Sequence, residues 1–160
     1  MTQTQRWKPA ATVAAVIEQD GRFLLVEEET ADGLRLNNPA GHLDPGESPI
    51  EGVVRETLEE TARDFRPEAF LGVFMSRHRG ETYLRMAFCG RVGEPLPGRA
   101  LDHGIARTVW LSAAELRACP ERHRTPLLMA CIDAYLAGRR LPLEALYTHD
   151  SVYGGDAPAA

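Results

Sequence analysis

No stretch of this chain constrains its fold more than Gly41 to Arg63, GHLDPGESPIEGVVRETLEETAR. It reads as a tight loop feeding a short helix. Asp44-Pro45-Gly46 is a turn sequence. Ser48 is a good N-cap, and Pro49 follows at the first helical position, where a missing N–H costs nothing. Glu51, three residues after Ser48, completes a capping box. Ile50, Val53, Val54, Thr57, Leu58 and Thr61 recur at helical spacing and are predicted to pack on a core. Glu56, Glu59, Glu60 and Arg63 fall on another arc, roughly 100° wide.

Glutamates crowded on one arc repel each other unless something positive sits among them. Taken alone, Glu-Thr-Leu-Glu-Glu reads as a solvated helix surface. An exposed arc of that kind also predicts that replacing Glu56 or Glu60 leaves fold stability nearly unchanged. The other reading is a site for a hard divalent cation, Mg²⁺ or Mn²⁺, which prefers oxygen ligands and usually shares them with substrate phosphates.

The spacing decides between these readings. Gly41, five residues, Glu47, seven residues, Arg55-Glu56, two residues, then Glu59-Glu60 resembles the signature box of the Nudix family. Three positions depart from the pattern. Thr57 and Arg63 stand where apolar residues are usual, and Ala62 stands where glycine would take a positive φ cheaply. No carboxylate is lost. Outside the box, Val26-Glu27-Glu28, Asn37, Pro39 to Leu43, Leu84-Arg85, Trp110, Pro126-Leu127 and Gly138 with Pro142-Leu143-Glu144 resemble the bacterial phosphatase NudJ subgroup of that family.

Composition is that of an ordinary soluble protein. At 160 residues the chain is expected to form one domain over 1–153, with a disordered tail over 154–160. A net charge of −5 gives no electrostatic reason to expect nucleic-acid or membrane binding. No run approaches the ~18 apolar residues of a membrane span, and the N-terminus has no apolar signal segment. Cys89, Cys119 and Cys131 lack metal or redox spacing and read as small core residues of a reducing cytoplasm. Lys8 is the sole lysine among many arginines. That bias fits genome composition, or phosphate gripping by arginine forks.

Along the chain, Ala11–Glu18 and Phe23–Glu28 read as a hairpin around Asp20-Gly21. The acidic run Glu27-Glu28-Glu29 is either solvated or part of the site that follows it. Thr30–Arg35 reads as a loop, and Leu36–Ala40 as an edge or irregular piece because Pro39 cannot donate to a ladder. Ala69–Arg77 and Thr82–Val92 read as a second hairpin. Arg85 inside its second strand is either a charge on a solvent face or a phosphate or base contact lining a cleft. Residues 93–104 form the longest irregular stretch, from which Asp102 or His103 could reach the site. Ile105–Leu111 reads as the last strand, with Trp110 in the core. Ser112 opens a short helix, and Thr125-Pro126 opens a longer one reaching Ala137, its stripe Leu128, Cys131, Ile132, Tyr135 and Leu136 facing inward.

This order suits an α/β/α sandwich with a mixed β-sheet, which is also the fold that the Nudix resemblance implies. The resemblance further implies Mg²⁺- or Mn²⁺-dependent hydrolysis of a small phosphorylated substrate; a monomer or a homodimer is expected, with the choice open. NudJ-type members imply nucleoside or thiamine-type di- and triphosphates and release of terminal phosphate. Other members cleave ADP-ribose, nucleotide sugars or dinucleoside polyphosphates, and a non-catalytic binding domain would have lost box glutamates. By residue, the resemblance implies that Glu56, Glu59, Glu60 and the Ala40 carbonyl hold metal. Glu47 and Arg55 pair to fix the loop, Glu56 or Glu59 serves as general base, and Gly41 lets the backbone approach closely. Arg85 is the candidate substrate contact.

Overall fold

A computed structural model describes residues 6–154. The expected tail therefore falls largely outside the described residues. The described elements run β1 (Ala10–Gln19), β2 (Arg22–Thr30), β3 (Gly33–Asn37), β4 (Ala40–His42), α1 (Pro49–Thr61), β5 (Phe65–His78), β6 (Glu81–Val92), β7 (Ile105–Leu111), α2 (Ala113–Arg117) and α3 (Leu127–Leu136). Short 3₁₀ turns at Pro120–Arg122, Leu143–Ala145 and Asp150–Val152 complete it.

The strand arrangement opens a gap that the box then fills. β1 and β2 pair only beside their turn, at Glu18↔Phe23 and Gln19↔Arg22, and then splay apart. Beyond that point β1 pairs antiparallel with β4 and parallel with β6, and β6 pairs with β5. β2 instead runs between β3 and β7. The sheet is mixed and divides into two banks joined at one corner. Helix α1 covers one side, over a core that includes Val13, Ile17, Leu24, Val53 and Phe88. Helices α2 and α3 cover the other, over Val16, Phe23, Leu71, Leu116, Leu128 and Ile132. This is the α/β/α sandwich.

Several local expectations are corrected. Thr30–Arg35 is not a loop: the chain turns at Ala31-Asp32 and β3 starts at Gly33. The turn is tight because Thr30 Oγ1 donates to the Gly33 carbonyl at 2.6 Å and accepts from Asp32 N at 3.2 Å. β5 starts at Phe65, before Pro67, because the register shifts between Pro67 and Ala69 and such a bulge needs no donor from proline. Leu36–Ala40 is not one piece; it ends β3 and begins β4. Leu136 is half-exposed, so the buried stripe of α3 ends with Ile132 and Ala134, and Trp110 is only partly buried.

Helix α1 starts as its sequence dictates, with both halves of the Ser48/Glu51 capping box formed. Its buried face is not the apolar one alone. Glu56 and Glu60 are as buried as the core side chains beside them, whereas Ile50, Val54 and Leu58 are only partly covered. The helix closes on Ala62 in the left-handed region, φ 54°, where an alanine costs about 1 kcal/mol relative to glycine. Thr57 packs fully, its hydroxyl donating to the Val53 carbonyl at 2.7 Å. Arg63, at the position expected to be apolar, lays its guanidinium over the Trp110 ring at 5.8 Å.

Removing the cap should loosen this start. Ser48→Ala is expected to lower stability by about 1 kcal/mol, read as a reduced urea midpoint with an unchanged m-value.

Candidate active site

The loop before α1 is tied to the helix by one arginine. Arg55 Nε donates to Glu47 Oε2 at 2.9 Å and Arg55 Nη2 to Glu47 Oε1 at 2.7 Å, a two-pronged pair. Nη2 also donates to the His42 carbonyl at 3.0 Å. Nη1 reaches the other way, to Glu56 Oε1 at 2.8 Å and Glu59 Oε2 at 3.1 Å. The Asp44 backbone N–H donates to Glu47 Oε1 at 2.7 Å, so the turn is held by the same carboxylate. Hydrogen bonding to Glu47 raises the Arg55 pKa, and the same contact lowers that of Glu47.

Opposite Arg55, the carboxylates press onto β4. The Ala40 N–H donates to Glu60 Oε2 at 2.9 Å. A methyl group placed on Gly41 would lie 2.1 Å from Glu56 Cδ, so the Glu56 carboxyl keeps its present place because this residue is glycine. Burial pushes Glu60 up to about 9, and the neighbouring charges of Glu28, Glu56 and Asp102 add to the rise. Burial also raises Glu56, against the pull of Arg55. Glu59 stays partly exposed. The structure thus draws Glu47, Arg55, Glu56, Glu59, Glu60, Ala40 and Gly41 into one place.

Asp102 joins from the long loop by a route with no sequence signal. Its N–H donates to the Glu59 carbonyl at 2.9 Å, while Leu96 N–H donates to the Ala62 carbonyl at 2.7 Å. Both contacts fasten the loop to the end of α1. His103 remains exposed, its N–H donating to Asp102 Oδ1.

Among the described residues no three acidic, histidine or cysteine side chains stand in a ready ligand cluster, and Arg55 Nη1 bridges Glu56 and Glu59. The donors nevertheless suit a hard divalent cation. They are carboxylate oxygens beside backbone, and a buried carboxyl raised to about 9 is one that lacks a counter-charge.

Next to this cluster lies a cleft of about 210 Å³, reached by Thr12, Glu28, Asn37, His42, Tyr83 and Arg85. Arg85 is buried, so a solvent-facing role for it is excluded. Its Nη1 donates to Asn37 Oδ1 at a long 3.4 Å, its Nε has no partner, and burial lowers its pKa. The acidic run divides three ways. Glu27 is 2% exposed and held by Arg107 and Arg122. Glu28 faces the cleft, and Glu29 faces solvent. A register shift between β2 and β7 at Glu27/Glu28 accompanies this division, and the alternation of a plain strand gives no hint of it.

The Nudix-domain family model matches residues 7–129. This chain is a member of the Nudix hydrolase family. It is 36% identical over 142 residues to a phosphatase NudJ of Escherichia coli K12, covering 88% of this chain and 92% of that one. A solved Nudix hydrolase from Nitrosomonas europaea is 51% identical with a TM-score of 0.86, covering 89% of this chain and 99% of the other. A MutT Nudix hydrolase from Burkholderia pseudomallei shares the fold alone, at 22% identity and a TM-score of 0.68, covering 80% of this chain and 98% of that one. The protein is therefore a hydrolase of the pyrophosphohydrolase and phosphatase kind acting on nucleotide-like substrates. Among the described residues no helix is long and apolar enough to cross a membrane.

The Glu60 shift fixes a pH dependence. A carboxyl at 4.5 in the unfolded chain and about 9 in the folded one favours folding below pH 4.5, and that advantage drains away as pH rises to about 9. The metal-free protein is expected to lose stability steadily across this window in urea titrations. Glu60→Gln is expected to flatten the decline.

Proposed function

We propose that this hydrolase cleaves nucleoside or thiamine-type di- and triphosphates with Mg²⁺ or Mn²⁺ and releases the terminal phosphate. The observation that carries the reading is the buried, charge-starved Glu60 carboxylate held against the Ala40–Gly41 backbone beside Glu56. Glu56, Glu59, Glu60 and the Ala40 carbonyl are the groups that would hold the ion. When bound, such an ion neutralises phosphate oxygens and lowers the pKa of coordinated water.

The protein's own residues supply the rest. Glu56 or Glu59 takes the proton from the attacking water at a carboxylate oxygen. Arg55 touches both carboxylates and is itself fixed by Glu47, so this pair sets where that oxygen points. Gly41 leaves room for the Glu56 carboxylate against the β4 backbone, and Arg85 donates to the substrate in the cleft. The name of the Escherichia coli relative, a phosphatase, supports terminal release over internal cleavage. Buried Cys89 and Cys131 support a reducing, cytoplasmic setting.

A phosphate-release screen over nucleotides, thiamine pyrophosphate and nucleotide sugars, with Mg²⁺ and with EDTA, tests this. Orthophosphate from di- and triphosphates in Mg²⁺ alone is expected; two organic phosphates from a nucleotide sugar or dinucleoside polyphosphate would mean internal cleavage instead. Glu56→Gln and Glu60→Gln are expected to cut kcat by about 10²-fold or more. Because both carboxylates are buried, the same variants are expected to melt higher than wild type in EDTA, which replaces the stability-neutral expectation for an exposed arc. Arg55→Ala is expected to lower kcat by about 10–100-fold with the metal still bound.

A further inference from the structure

One charged pair in the cleft takes no part in the chemistry at α1. Glu28 on β2 and Arg85 on β6 lie on opposite banks of the sheet, with Asn37 between them. Asn37 Nδ2 donates to Glu28 Oε1 at 2.8 Å, and Arg85 Nη1 donates to Asn37 Oδ1 at 3.4 Å. The amide has only one way to lie, because a carboxylate accepts and a guanidinium donates. Glu28 Oε2 accepts from Arg124 Nε at 3.1 Å, so each carboxylate oxygen has one partner and keeps a lone pair. The Glu28 side chain is 18% exposed where it lines the cleft. Arg85 is 7% exposed where it lines the cleft, and its Nη1 contact to Asn37 is long. The cleft therefore offers an acceptor and a donor side by side, spaced by one amide.

This pattern selects what can sit there. A phosphate or carboxylate would satisfy Arg85 and meet the Glu28 charge at close range. An apolar group would leave both partners unmet, at a cost typical of unpaired buried polar groups. A flat heterocycle with an N–H next to a ring acceptor meets both, and nucleobases and aminopyrimidines share that edge. The wall beside them is aromatic, with the His42 and Tyr83 rings 6.3 Å apart and tilted by 56°. Such a wall gives a planar ring a face to lie on.

We infer that the cleft holds the heterocycle of the substrate edge-on, a ring or exocyclic N–H donating to Glu28 while the adjacent ring acceptor receives a hydrogen bond from Arg85. Glu28 is then a specificity residue: it admits neutral N–H-bearing rings and disfavours anionic groups. The inference rests on the reading of α1 as the place where the phosphates are handled.

The test is equilibrium binding by isothermal titration without metal, so that no hydrolysis enters. The ligands are UMP and CMP, their counterparts 3-methyl-UMP and N4,N4-dimethyl-CMP, which lack the N–H, and ribose 5-phosphate. Wild type is expected to bind at least one parent nucleotide about tenfold or more tightly than both its methylated form and ribose 5-phosphate. Glu28→Gln is expected to bring parent and methylated forms within about threefold, with a melting curve showing that the variant is folded. Equal affinities for parent and methylated forms in wild type would overturn the inference, as would an unchanged preference in folded Glu28→Gln. The wild-type series decides the matter even where the variant does not fold. Discrimination without phosphate release from any substrate would instead sink the reading of α1 and leave this one standing.

Discussion

The close approach of α1 to the Ala40–Gly41 backbone governs the rest of the site. Val53 and its apolar neighbours seat the helix on the core, but its carboxylate-bearing arc has no hydrophobic reason to face that backbone. It is held by contacts around it: the capping box at its start, the Glu47–Arg55 pair on its flank, and the Asp102 and Leu96 N–H groups at its end. With those in place, Glu56 and Glu60 are forced into a position where charge is costly. That cost is what raises both carboxyls above their usual range. Gly41 keeps the Glu56 carboxyl in that position, since a side chain there would displace it.

Much of this was readable from residue types at fixed spacing. Ser48, Pro49 and Glu51 announce a helix start by local chemistry alone, and the structure forms that start. The order of hairpins and helices was enough for the sandwich. The burial of Glu56 and Glu60 was not readable, because a helical wheel sorts faces by apolarity and these residues are buried for another reason. Strand β3 was missed because its turn is closed by the Thr30 hydroxyl rather than by a glycine-led pair. Arg85 stood between two readings until its burial removed one. The Asp102 N–H reaching Glu59 is a contact between backbones far apart in sequence, and no side-chain pattern encodes it.

The arginines show a similar divide. As a composition bias they carry little information. In place, Arg55 organises the box, Arg107 and Arg122 neutralise the fully buried Glu27, and Arg124 steadies Glu28 at the cleft. Arg63 substitutes for an apolar box residue by lying on Trp110. Arg55 depends on a planar fork and Arg63 on a flat face, which lysine does not provide.

The corner where β1 and β2 share only two residue pairs has a mechanical consequence. Each bank of the sheet keeps its own ladder up to the register shift at Glu27/Glu28, and besides that corner the two are linked where β3 runs on into β4 and the Ala15 N–H donates to the Pro39 carbonyl at 2.9 Å. The Asn37 amide is a strut set across the opening. Ring size is then gauged by how far two stiff ribbons can spread, as with the jaws of a caliper, rather than by the softness of loops.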